Sequence, residues 1–186
     1  EGYRLKTASD LQRAVRAYQM ARPIVPDDPQ ALYHLGVTLY RAGRLDQAAA
    51  LIQRAITRQP DRWDYHKALG NVYKHQGKIE KAEAHLVRAV SLYPKSADAH
   101  YDLGIVYQLI GLSQKAVSSY RAAVHHDPDY AQAWNNMGLI LMEQGEGDKA
   151  INCFETAITK KPDFYGAYNN LGNLYRSEND FLRAEN

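Results

Sequence analysis

The sequence predicts an all-α chain of antiparallel helix pairs stacked side by side. Three observations predict it. Small residues recur every 34 positions, each period holds two apolar stripes at helical spacing, and a proline closes each period. Alanine falls at Ala14, Ala48, Ala82, Ala116, Ala150 and Ala184, and glycine at Gly36, Gly70, Gly104, Gly138 and Gly172. A second alanine series is Ala21, Ala55, Ala89, Ala123 and Ala157, followed by Pro26, Pro60, Pro94, Pro128 and Pro162. Four series keep one period without an insertion, which marks a repeat architecture.

Within one period the elements follow in order. In 131–164, Trp134, Met137, Gly138 and Leu141 lie at i, i+3, i+4 and i+7, one stripe of a first helix. Gly145 and Gly147 break it. Ala150, Phe154, Ala157 and Ile158 form the stripe of a second helix, which Pro162 closes, because proline lacks an N–H and disfavours helix in the residue before it. Asp27, Asp61, Asp129 and Asp163 stand where they are expected to cap the next helix, with Lys95 at the fifth such place. Each helix is expected to be about 13 residues and about 20 Å long.

The small residues have a packing reason. Helix axes approach to about 8–10 Å only where the crossing side chains are small. A mid-helix glycine costs about 1 kcal/mol against alanine, so five at one register point to close contact. The Ala14 series is expected to face this glycine within the pair, and the Ala21 series to face the next repeat. Tyr18, Ile52, Leu86, Tyr120 and Phe154 are the knobs beside them.

The pattern of Leu-Gly, two residues, Tyr, then Ala, a bulky residue, Ala and Pro resembles the tetratricopeptide repeat family. Leu69-Gly70 with Tyr73, Leu103-Gly104 with Tyr107, and Leu171-Gly172 with Tyr175 carry it. The resemblance implies a right-handed superhelix over the whole chain, with repeats at 29–62, 63–96, 97–130 and 131–164. A second helix of a truncated repeat is expected over 9–28, opened by a capping box of Ser9 and Gln12. A further truncated repeat occupies 165–186. No polar capping helix is evident in the sequence, so the chain is expected to be a fragment of a longer array or to stack end to end with other copies.

The resemblance also implies a concave groove lined by the first helices. Carried over position by position, it places Tyr33, His34 and Val37 there from 29–62, and Lys67 and Asn71 from 63–96. From 97–130 it places Tyr101, Asp102 and Ile105, from 131–164 Asn135, Asn136 and Leu139, and from 165–186 Asn169, Asn170 and Asn173. The mixture of amides, tyrosines and an apolar thread suits an extended peptide or a helix. Tyr101, Ile105, Leu139, Asn136 and Asn170 are the expected hot spots. The paired asparagines are similar to the ladder in the repeat region of O-linked N-acetylglucosamine transferases. The earlier rungs are His34, Ala68 and Asp102, so that likeness is partial. A carboxylate clamp is not expected, because Asp102 would repel the ligand.

Composition narrows the function classes. The 186 residues are 45% hydrophobic and 24% charged, which suits a folded chain. Net charge is +2, too weak to imply a nucleic-acid partner, and no apolar run is long enough to span a membrane. Seven histidines show no His-x-x-x-His spacing, so no metal is expected, and no cofactor is expected either. Cys153 beside Phe154 reads as a small core residue. No nucleophile motif occurs, so the chain is not expected to be an enzyme. The expected function is a scaffold binding a protein or peptide segment. The alternatives are a substrate-selecting region of a larger enzyme, such as a protein glycosyltransferase, and a self-assembling scaffold. One cysteine suits a reducing cytosol but equally a periplasm.

Overall fold

The computed structural model describes Gln12, Arg16 and residues 28–177. The helix expected over 9–28 with Ser9 as its cap, and the chain after Ser177, otherwise lie outside the described residues. All regular structure among the described residues is helical. The chain divides into two compact units, Glu1–Pro94 and Lys95–Asn186.

The first unit contains α1 (Pro29–Arg41), α2 (Leu45–Arg58), α3 (Trp63–His75) and α4 (Ile79–Leu92). The second contains α5 (Ala97–Leu109), α6 (Ser113–His126), α7 (Ala131–Glu143), α8 (Gly147–Lys160) and α9 (Tyr165–Ser177). The first helices α1, α3, α5, α7 and α9 have 13 residues each, the others 14. Helices pair as hairpins, α1 with α2, α3 with α4, α5 with α6 and α7 with α8. Within the first unit α2 also packs on α3, and within the second α6 packs on α7 and α8 on α9. This side-by-side stacking of hairpins is that of an α-solenoid built from 34-residue repeats.

Each hairpin is held at its glycine. A methyl group on Gly104 would stand 2.5 Å from Tyr120 Cε1, and one on Gly36 would stand 2.5 Å from Ile52 Cγ1. Gly70 meets Leu86 and Gly138 meets Phe154 in the same way. The knob therefore fills the space that the absent side chain leaves. The first alanine series faces the same glycine, since the Ala48 and Ala82 carbonyl oxygens lie 3.3 Å from the methyl positions of Gly36 and Gly70. The second series faces onward. Ala157 is fully buried in a cluster with Ala131 and with Ala167 of the following helix.

The two kinds of turn differ in cause. Between the helices of a hairpin stand Gly43, Gly77, Gly111 and Gly145, all with φ of 72 to 76°, a left-handed conformation that favours glycine. The N–H after each glycine bonds a carbonyl five residues back, for example Arg44 to Leu39 at 2.9 Å and Leu112 to Tyr107 at 2.9 Å. Of the two glycines expected to break the helix, Gly145 belongs to this series and Gly147 begins α8. Between hairpins, the proline forces its predecessor into extended backbone, as at Gln59 (φ −136°, ψ 82°) and Asp127 (φ −137°, ψ 92°).

The expected aspartate caps are corrected. Asp28 caps α1 through Ala31 N–H at 2.6 Å, and Ser96 caps α5 through Ala99 N–H at 3.2 Å. Arg62 and Tyr130 occupy the cap positions of α3 and α7 without a side-chain cap bond. Asp61 and Asp129 stand one residue too early and form exposed ion pairs instead, with Arg88 at 2.8 Å and Lys160 at 2.9 Å. Asp27 lies outside the described residues.

Candidate functional site

In the second unit a row of polar side chains crosses the first helices from α5 to α9. Its centre is α7, where Asn135 is buried and Asn136 half-buried. Asn170 on α9 donates Nδ2–H to Asn135 Oδ1 at 2.9 Å. Asn135 donates to Asn136 Oδ1 at 3.3 Å. Asn136 Nδ2 then reaches the hydroxyls of Tyr101 on α5 at 3.4 Å and Tyr120 on α6 at 3.5 Å. The Tyr120 hydroxyl in turn donates to Gln108 Oε1 at 2.9 Å. Buried polar groups need such partners, and here each partner comes from another helix or from the next residue.

Tyrosines and carboxylates flank this row. Tyr101 packs against Tyr130 at 4.9 Å between ring centroids and against Tyr120 at 5.7 Å. Tyr130 donates its hydroxyl to Asp98 Oδ1 at 3.1 Å. Burial raises the pKa of Tyr101, Tyr120 and Tyr130, and the nearby charge of Asp102 raises all three further. These hydroxyls therefore stay protonated and act as donors at neutral pH.

The expected surface residues thus fall into two groups. Asn135 is 6% exposed and spends its amide inside the protein. Asn136, Asn170 and Tyr101 are half-buried and joined by the row. Asp102, Ile105 and Leu139 are half-buried, while Asn169 and Asn173 are exposed. The likeness to a transferase ladder is not confirmed; the Asn170 amide bonds Asn135, the residue before the ladder place at Asn136. Tyr120, expected as one of the packing knobs, and Tyr130 are not among the expected groove residues, yet both join or flank the row. The signal at Tyr120 was its hydroxyl, at a place where Ile52, Leu86 and Phe154 carry none.

The first unit arranges its residues differently. Tyr33 stacks on Tyr65 at 4.6 Å and meets His34 at 5.2 Å. His34 is exposed, and Val37 and Asn71 are half-buried. The Lys67 ammonium lies 5.8 Å from the Trp63 ring centre. Arg62 grips Asp64 through two bonds of 2.9 and 2.7 Å and covers the Tyr65 ring at 4.8 Å. Tyr40 on α1 and His75 on α3 are joined at 3.0 Å.

Other candidates are structural. His66 Nε2 lies 3.0 Å from the Pro60 carbonyl, as Trp134 Nε1 lies 3.1 Å from that of Pro128, so one repeat position ties α3 and α7 to the turns before them. His66 and His85 face each other at 3.0 Å between Nδ1 atoms. Cys153 is buried in α8 beside an open depression of about 300 Å³ lined also by Trp134, Met137 and Arg121. Burial pushes its thiol up to about 11. No helix among the described residues is long and apolar enough to cross a membrane.

Family comparisons agree with this architecture. Models described as tetratricopeptide repeat match residues 2–62 and 131–164, and a model described as TPR repeat matches 70–111. The chain belongs to the tetratricopeptide repeat family. Solved structures with the same fold include MamA, at 27% identity and a TM-score of 0.77 over 83% of this chain and 90% of that one. YrrB, described as a TPR protein with an unusual peptide-binding site, is 20% identical with a TM-score of 0.74, over 91% of this chain and 88% of that one. Pseudomonas aeruginosa pilF is 16% identical with a TM-score of 0.85, over 95% of this chain and 81% of that one. No curated protein matches the sequence.

Proposed function

We propose that the chain is a non-enzymatic scaffold that holds a segment of a partner protein against the first helices of its repeats. The amide and tyrosine row of the second unit carries this reading. It sets the spacing of α5, α7 and α9 from within, through Asn136–Tyr101 and Asn170–Asn135. Ile105, Leu139, Asn169 and Asn173 then stand partly or wholly open on those same helices. A surface ordered before binding lowers the entropy cost of taking up a flexible segment. The open amides can both donate to and accept from an extended backbone, and the aliphatic residues take apolar side chains. The peptide-binding site ascribed to YrrB on the same fold supports the reading.

Asn136 and Asn170 are engaged in holding helices together, so replacing them perturbs stability along with binding. Ile105, Leu139 and Asn173 are the cleaner test. Peptides are selected from a random display library on the full chain, and their affinity is measured for the parent, for Ile105→Ser/Leu139→Ser and for Asn173→Ala. Both variants should bind at least about fivefold more weakly with melting curves like the parent's, whereas Arg121→Ala on α6 should bind normally. Equal affinity in all four proteins would rule out the first-helix face.

A further inference from the structure

We infer that the depression between α6, α7 and α8 binds a small aromatic carboxylate, with the ring on its apolar floor and the acid at Arg121. This site shares no residue with the peptide face proposed above, and the two readings stand or fall separately. Val117, Met137, Leu141 and Cys153 line the depression and are buried, and half-buried Trp134 lines it beside them. At about 300 Å³ it matches the smaller cavities that hold small molecules.

The first unit shows what this place holds when it is filled. Two periods earlier, the positions of Leu141 and Cys153 carry Tyr73 and His85. There the His85 ring packs on Tyr73 at 5.5 Å and on His66 at 5.2 Å between centroids. Gln76 Nε2 then donates to Asp46 Oδ1 at 2.8 Å, from the turn after α3 to α2. In the second unit Leu141 and Cys153 bring no ring, and Gln144 and Gln114, at the places of Gln76 and Asp46, line the depression instead. A flat ring from outside restores the missing aromatic contact, with Trp134, at the place of His66, as its stacking partner.

Arg121 decides the charge of the ligand. Gln53 and Val87 hold its place in the two earlier repeats, so the repeat itself does not call for a cation there. Arg121 is exposed and, among the described residues, enters no ion pair, whereas Lys149, the other cation of the lining, is paired with Glu146. The charge of Arg121 reaches the floor of the depression: burial raises the Cys153 thiol, and Arg121 offsets part of that rise. A guanidinium takes a carboxylate through two parallel charge-assisted bonds, which fixes the acid at the rim while the ring lies on the apolar floor.

The test titrates three probes into the full chain by calorimetry: naphthalene-2-carboxylate, the uncharged naphthalene-2-methanol, and cyclohexanecarboxylate, which keeps the acid without the flat ring. The first should bind with a dissociation constant below about 1 mM, and at least about fivefold more tightly than either other. Arg121→Gln should bring the naphthalene acid down to the affinity of the alcohol. Leu141→Tyr/Cys153→His, which puts back the rings of the first unit, should abolish binding. If the melting curve shows that this double variant does not fold, Cys153→Met fills the floor more mildly and should weaken binding. No binding of the naphthalene acid at about 1 mM, a probe lacking the ring or the charge that binds as well, or an affinity unchanged in Arg121→Gln overturns the inference. Tighter binding of acetyl-Asp-Phe-amide than of the free acid overturns it too, and gives the depression to a partner protein instead.

Discussion

Asn170 donates to Asn135 across 2.9 Å, from a half-buried position on α9 to a side chain that is only 6% exposed. This bond makes Asn135 part of the joint between α7 and α9, and it is the shortest between the asparagines of the row. Its value follows from burial, because a buried amide without a partner bears its full desolvation cost.

Asn135→Ala should therefore lower stability by about 1–2 kcal/mol. Asn136→Ala should cost less, under about 1 kcal/mol, because its three bonds run from 3.3 to 3.5 Å. Urea unfolding of the two variants gives the comparison, and a reversed order would contradict the assignment of Asn135 to the joint.

The glycines divide by mechanism. Gly104→Ala should cost about 1–3 kcal/mol, since the new methyl meets a Tyr120 ring whose hydroxyl is bonded to Gln108. Gly70→Ala should cost less, because Leu86 can change rotamer where an anchored ring cannot. Gly111→Ala meets no atom within 4 Å, yet should cost about 1 kcal/mol from its φ of 74°. Thermal melts of the three variants test the ranking.

Stability should fall in mild acid. Burial first, and then the charge of His66, holds His85 down to about 4. The neighbours on α3 are His66 at 3.0 Å and the Tyr73 ring at 5.5 Å. The unfolded chain takes up this proton near pH 6.5, well before the folded one. The contribution of neutral His85 is thus complete above about pH 6.5 and is lost as pH falls towards about 4. His85→Phe should flatten that part of the urea midpoint against pH. An unchanged slope would assign the acid sensitivity to other groups.

Cys153 should react slowly. With its thiol pushed up to about 11, about one molecule in a thousand carries the thiolate at pH 8, and the side chain is buried. Labelling with an aromatic disulfide reagent should accelerate steeply in urea at the unfolding transition. Fast labelling of the native protein would show that the α8 depression opens freely.

The first turns of α1, α3, α5 and α7 show how much was legible. The helices and their pairing follow from apolar spacing, from glycine facing a bulky residue, and from proline after each second helix. All of these act within one repeat and so are written along the chain. The aspartate caps were misplaced by one residue, because Arg62 and Tyr130, not Asp61 and Asp129, stand at the cap of the helix. For the candidate site, position in the repeat placed Tyr101, Ile105, Leu139 and Asn173 on the first helices. It could not show that Asn135 would be buried or that Tyr130 would reach Asp98.

By itself, the sequence determined the period, the helical hairpins and the glycine–knob contacts, because short-range sterics and burial decide these within 34 residues. The tertiary structure alone decided which asparagine is spent on which neighbour, and which carboxylate meets a guanidinium or a phenol. Those choices depend on distances between side chains from adjacent helices, and hydrogen bonds distinguish partners that differ by a few tenths of an ångström.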